Sequence, residues 1–205
     1  MSSPKIAHAH LLKNSEISFP KLHSLITKNG PLKLQTTKYP NIFFFLAKTC
    51  IGQQLSATVA RTIWGKVESR CKEKNFTVYE FFSYENIDEI RICGISASKS
   101  KAIIQVNERY KSGELADDQL LQANYSEIKD IIKSNWGFGD WSADMCAIFY
   151  CKLPDVLPLS DIAIINGAKK LTSEDALVDE LFDSFSPYRS YLCKHIWKGL
   201  DDKLI

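Results

Sequence analysis

An all-α fold is what this 205-residue sequence predicts. Apolar residues recur at helical spacing nearly throughout. Strand signals are almost absent. Caps and breakers punctuate the chain at intervals that suit helices. At 45% hydrophobic and 11% aromatic residues the chain can bury a core. Its length fits one large domain or two small lobes.

The elements follow in order. The first forty residues look helical. Ser18-Phe19-Pro20 opens a helix through Leu22, Leu25 and Ile26, and Asn29-Gly30-Pro31 ends it. Glycine is at home at a helix C-terminus and proline cannot continue the helix. After Tyr39-Pro40-Asn41, residues 42–47 are an unbroken apolar run that reads as a buried helix. Ser56 is placed to cap a long helix through Val59, Ile63, Trp64 and Val67. Further helices are predicted over 78–83, 86–92, 98–110, 125–134, 140–150, 161–171, 174–185 and 187–200. Pro187 suits a first helical position, where a missing N–H costs nothing. Pro154 and Pro158 bracket a stiff connector leading into Asp161.

Charge is unevenly distributed. Residues 1–74 hold twelve Lys/Arg and three Asp/Glu, although the whole chain carries only +2. That asymmetry permits a polyanion-facing surface, but a solvated lysine-rich face would look the same. The six cysteines form no CxxC pair and no zinc or iron–sulfur spacing. Reduced, mostly buried thiols are expected, and with a polar Met1–His10 stretch no secretory leader is expected. No apolar run approaches membrane-spanning length.

Four segments carry chemistry. Trp136-Gly137-Phe138-Gly139-Asp140-Trp141-Ser142-Ala143 is a tight turn between two helices. Its glycines can approach a ligand closely, and free amides on a helix start favour an anion such as phosphate. An ordinary inter-helix turn would also use glycine. Asp161 follows Val156-Leu157-Pro158-Leu159-Ser160 and is held at a helix start. It suits a general base or an anion facing a developing cation, or a plain N-cap, or both. Ile51-Gly52-Gln53-Gln54-Leu55-Ser56 is a polar break after an apolar helix, able to reach base edges or fill the gap left by a displaced base. Ser186-Pro187-Tyr188-Arg189-Ser190-Tyr191 leads to Trp197, which reads as core or as a stacking platform.

Together and in this order, these segments resemble the helix-hairpin-helix DNA glycosylase superfamily, and in particular its 3-methyladenine DNA glycosylase II branch. The resemblance spans about Pro40 to Trp197. The segment 51–56 matches hGQQhS, 136–143 matches PGIGxWTA, 156–161 matches the segment ending in the family's catalytic aspartate, and 187–197 matches PWRSYxxxxxW. Residues 95–101, Ile-Ser-Ala-Ser-Lys-Ser-Lys, resemble the family's GhSxxKxxxh stretch.

The resemblance implies two helical lobes with the active-site cleft between them. One lobe is 41–160, a helical barrel with the helix-hairpin-helix. The other is discontinuous, 1–40 plus 161–205, without the N-terminal β-lobe of some relatives. It implies Asp161 as the catalytic residue, and Gly137, Gly139, Trp141, Ser142, Gln53 and Gln54 on DNA, with Gln54 as the intercalating wedge. Trp141 and Trp197 become the base pocket. Trp141 stands where lyase-competent branches have lysine, so a monofunctional, water-using enzyme is implied. No cofactor is required, beyond a Na+ or K+ ion on backbone carbonyls near Gly137 and Gly139. The partner is double-stranded DNA with alkylated bases, the protein a monomer, and its location intracellular, nuclear in a eukaryote and cytoplasmic in a bacterium. Asp140 is an unexpected acid in a phosphate-facing turn: it weakens DNA binding, or it stabilises the helix start. A glycosylase for another damaged base, or a non-catalytic DNA- or lesion-binding protein, are the alternatives.

Overall fold

The computed structural model describes residues 3–34, 39–172 and 177–205. Among them are thirteen α-helices and no strand, as the periodicity predicts. The chain divides into two compact units, Met1–Thr37 with Ala147–Ile205, and Lys38–Cys146.

The terminal unit begins with α1 (Pro4–Ser15) and α2 (Pro20–Asn29). The middle unit holds α3 (Ile42–Gly52), α4 (Ala57–Lys74), α5 (Val78–Phe81), α6 (Ile87–Ile92), α7 (Ala97–Ser112), α8 (Asp117–Gln122), α9 (Tyr125–Lys133) and α10 (Asp140–Met145). The chain then returns to the terminal unit through one π-helical turn, Cys146–Tyr150, followed by α11 (Ile162–Leu171), α12 (Leu177–Ser184) and α13 (Arg189–Asp201). The resemblance groups residues 147–160 with the helical barrel lobe. Here they cluster with the terminal helices, to which Arg189 and Ser190 tie them.

In the middle unit α3 is the axial helix. Seven of its eleven residues are buried, and it packs mainly against α7 and α4. A helix apolar on all sides must be enclosed. Asn41 caps it by accepting from Phe44 N–H at 3.3 Å. Ser56 caps α4 and Ser96 caps α7. Asn75 ends α4 in the left-handed conformation at φ +56°. Asn124 and Glu127 form a reciprocal capping box on α9. An aromatic cluster of Phe43, Phe82, Tyr79 and Tyr110 fills the space beside α3.

In the terminal unit α11 and α13 approach closely at Gly167, where a Cβ would collide with Ile196 Cγ2. Only glycine fits there. The helix predicted over 140–150 ends its α-geometry at Met145, and the π-turn carries the rest. The helix predicted from Pro187 starts at Arg189, because the Arg189 and Ser190 amides donate to Asp155 and to Pro154 C=O rather than opening the helix two residues earlier. The predicted start of α12 at Glu174 lies outside the described residues. Five of the six cysteines are buried and all are free thiols. Burial pushes Cys50 up to about 11. No described helix is long and apolar enough to cross a membrane.

Candidate nucleic-acid interface and catalytic carboxylate

The predicted site residues fall in both units. In the middle unit the Gly137–Gly139 turn joins α9 to α10. Gly137 has φ +87°, and a Cβ on it would meet Ala102 Cβ at 2.8 Å. Two independent constraints therefore demand glycine. Phe138 between the glycines is buried, while Gly137 and Gly139 are exposed. The turn is braced from below by Asn135, which donates to Ile131 C=O at 2.8 Å and accepts from Arg109 Nη1 at 2.7 Å. Among the described residues no side chain caps the start of α10 at Gly139. The first amides of a helix lack intrahelical partners and attract anions.

Asp140 opens α10 and is gripped by Lys133 Nζ at 2.9 Å and Lys129 Nζ at 3.0 Å. Hydrogen bonds from those two ammoniums hold its carboxyl below the usual range. The acid that looked out of place in the turn thus sits between two cations from α9. Trp136, in the family's proline position, is 49% exposed and lies under Lys101 Nζ, 4.8 Å from the ring centroid. Trp141, the second residue of α10, is half-buried.

The two glutamines part company. Gln53 turns inward, and its Nε2 donates to Gly137 C=O and to Ser142 Oγ, both at 3.2 Å. Ser142 is buried and faces that amide. Gln53, Gly137 and Ser142 form one hydrogen-bonded set that ties the end of α3 to the hairpin. Gln54 turns outward, exposed, with φ +58°.

In the terminal unit Asp161 is the N-cap of α11. Its Oδ1 accepts from Ala163 N–H at 2.9 Å and Ile164 N–H at 3.3 Å. The connector that delivers it is fastened to the start of α13. Arg189 binds Asp155 through both ends of its guanidinium, while Ser190 Oγ donates to Leu153 C=O at 2.7 Å and accepts from Val156 N–H at 2.9 Å. This explains why the Tyr-Arg-Ser segment matters, a role its spacing did not disclose. Trp197 is half-buried against Phe149, ring centroids 5.4 Å apart. Lys194 Nζ lies 5.1 Å from the Phe149 ring, and burial lowers the pKa of its ammonium. Phe149 is an aromatic partner the sequence reading missed. Its only signal was an aromatic at the end of the hairpin's second helix.

Comparison with known proteins bears on the fold. No family model matches the chain. DNA-3-methyladenine glycosylase 1 of Schizosaccharomyces pombe is 23% identical over 198 residues, 94% of this chain and 86% of that protein. A DNA-3-methyladenine glycosylase of Saccharomyces cerevisiae is 29% identical over 219 residues, 98% and 72%. The solved structure of the Schizosaccharomyces pombe 3-methyladenine DNA glycosylase in complex with abasic DNA superimposes with a TM-score of 0.79 at 22% identity, covering 96% of this chain and 97% of that one. This chain has the helix-hairpin-helix DNA glycosylase fold. The all-α expectation and the family resemblance therefore hold.

Proposed function

We propose that this protein is a monofunctional DNA glycosylase that hydrolyses the N-glycosidic bond of alkylated, 3-methyladenine-type bases in base excision repair. The observation that carries the reading is Asp161, a carboxylate held at a helix start by a connector that Arg189 and Ser190 brace. It lies in a chain similar along nearly its whole length to DNA-3-methyladenine glycosylases.

In this reading the hairpin amides at Gly137 and Gly139 and the nearby lysines hold phosphate, and the damaged nucleotide leaves the stack. Gln54 fills the gap. Trp197 and Trp141 stack on the extruded base, and an aromatic face attracts a cationic methylated purine by roughly 0.5–2 kcal/mol. Asp161 stabilises the oxocarbenium-like sugar as the base departs and orients or deprotonates the attacking water. Gln53 and Ser142 serve by holding the hairpin rather than by touching DNA. With tryptophan at 141 no Schiff base forms. A Na+ or K+ ion near Gly137 and Gly139 enters as a structural ion only. Carbonyl oxygens suit a hard cation. Those of Gly137 and Gly139 already accept from Gln53 and from Ala143 N–H, leaving one lone pair each. The protein acts as a monomer wherever its DNA is, the nucleus of a eukaryote or the bacterial cytoplasm.

The test is release of 3-methyladenine and 7-methylguanine from methylated duplex DNA by the wild type and by Asp161→Asn. Wild-type release that the substitution abolishes is expected. Release that survives it unchanged would remove Asp161 from the chemistry. One observation favours a second reading, a lesion binder without catalysis: an Asp161 oxygen is already taken by the helix cap. Wild-type binding to methylated DNA with no base released from it would establish that reading.

A further inference from the structure

We propose that Lys99 is a positioning residue for the wedge: its ammonium selects the peptide orientation that puts Gln54 in the left-handed conformation. The inference rests on the wedge role given to Gln54 above.

The link between α3 and α4 is a four-residue turn, closed by Leu55 N–H donating to Gly52 C=O at 3.1 Å. Gln53 has φ −52° and ψ 127°, and Gln54 has φ +58°. These values fit a type II turn, whose third residue needs φ > 0 and is normally glycine or asparagine. Glutamine there is held against its own preference. The competing type I turn spans the same ends with the central peptide turned over, returning the third residue to φ of about −90°. Whatever holds the central peptide, whose carbonyl belongs to Gln53, therefore decides the direction in which the Gln54 side chain leaves.

Lys99 holds it. Its Nζ donates to Gln53 C=O at 2.8 Å and to Ile51 C=O at 2.9 Å. In the type I alternative the Gln53 carbonyl points away from this ammonium. Apolar packing does not do the work, since Gln54, Leu55 and Ser56 are all exposed. Lys99 lies in the first turn of α7, where a cation opposes that helix's own dipole. Its charge serves the last carbonyls of α3 instead, where a cation is favourable. The half-buried ammonium is held below its ordinary pKa by burial. Gln53 then passes the restraint on through its side chain to Gly137 and Ser142. Wedge turn and hairpin thus share one set of hydrogen bonds, with Lys99 at its root.

The test uses Lys99→Met, Gln54→Ala and the double variant. Three quantities are read: single-turnover base release at saturating enzyme, Kd for duplex carrying an abasic analogue, and the NMR cross-peak between Gln53 Hα and Gln54 N–H, which is strong in a type II turn and weak once the central peptide turns over. Lys99→Met is expected to slow release about tenfold with Kd within about threefold, and to weaken that cross-peak. Gln54→Ala should cost nothing further once Lys99 is gone, because two residues acting through one feature are non-additive. Lys99→Arg should restore most of the rate. An unchanged Gln53–Gln54 cross-peak in Lys99→Met overturns the proposal, as do single losses that simply multiply in the double variant. A wild type that releases no base defeats the glycosylase reading, and the cross-peak then decides the Lys99 proposal alone. If Lys99→Met does not fold, Lys99→Gln is read the same way.

Discussion

Arg189 and Asp155 meet fork to fork, Nε to Oδ1 at 2.7 Å and Nη2 to Oδ2 at 2.8 Å. Ser186 Oγ and the Arg189 amide add to the same carboxylate at 3.0 and 3.1 Å. Burial works against the Asp155 charge, but the Arg189 hydrogen bonds outweigh it and hold the carboxyl below the usual range. The clamp closes the connector six residues before Asp161.

Arg189→Ala should therefore lower both stability and base release. Both partners are less than a third exposed, and removing one leaves a part-buried carboxylate unpaired, a loss on the order of 1–3 kcal/mol in urea denaturation. Base release at a temperature where the variant is folded should fall about tenfold, since Asp161 loses its fixed direction. Arg189→Lys should recover only part, because an ammonium cannot make the planar double contact. The clamp's contribution is present above the unfolded carboxylate pKa and disappears as pH falls through the lower folded value. Full release by Arg189→Ala would show that the connector needs no clamp.

The two hairpin glycines should respond differently. Gly137→Ala meets positive φ and the Ala102 methyl together, so a destabilisation on the order of 2–4 kcal/mol is expected alongside lost DNA binding. No described residue lies within 4 Å of a Cβ on Gly139. Gly139→Ala should fold normally, and any loss of affinity for undamaged duplex then reports close approach of phosphate to that backbone. Equal thermal stability of the two variants would contradict the geometry.

Asp140 should restrain DNA affinity rather than support it. Its carboxylate neutralises one of the two charges on Lys129 and Lys133. Asp140→Asn removes that competition. Duplex affinity at low salt should rise several-fold, and the slope of log K against log salt should steepen by about one phosphate contact. Fluorescence anisotropy across a salt series measures both. Affinity that falls instead would mean the acid's service to the α10 start dominates.

How much of this was legible depends on whether the cause was local. The cap at Ser56, the enclosed α3, the glycine turn and the placement of Asp161 at a helix start are set by neighbours in sequence, and all could be read there. Helix α1 escaped clear definition because only Ala7, Leu11 and Ser15 are buried, a stripe with a single large apolar side chain. Helix α8 buries only Leu120. The partners of Asp140, the inward turn of Gln53 and the grip of Lys99 on α3 depend on which helices the fold sets side by side, and no spacing within one helix announces them. The segment around Arg189 was visible as a motif, yet its task became clear only with Asp155 beside it.

Helix α13 carries Trp197 and also a buried histidine, which makes the terminal unit sensitive to acid. His195 is 1% exposed and stacks on His8 with ring centroids 5.9 Å apart. Asn29 Nδ2 donates to its Nδ1 at 3.2 Å, so the neutral ring is the satisfied one. Burial, with His8 adding to it, lowers His195 to about 3, and burial also lowers His8. A folded pKa below the unfolded value of about 6.5 means that the unfolded chain binds more protons between about pH 6.5 and the folded value. Stability is therefore full above pH 6.5 and is lost as pH falls through that window. Each proton taken up only on unfolding contributes a slope of about 1.4 kcal/mol per pH unit. His195→Gln should flatten urea-denaturation stability against pH by close to one proton between pH 6 and 4, while lowering it at pH 8 through the altered fit to Asn29. A variant whose pH slope matches the wild type would mean that His195 is protonated in the folded protein.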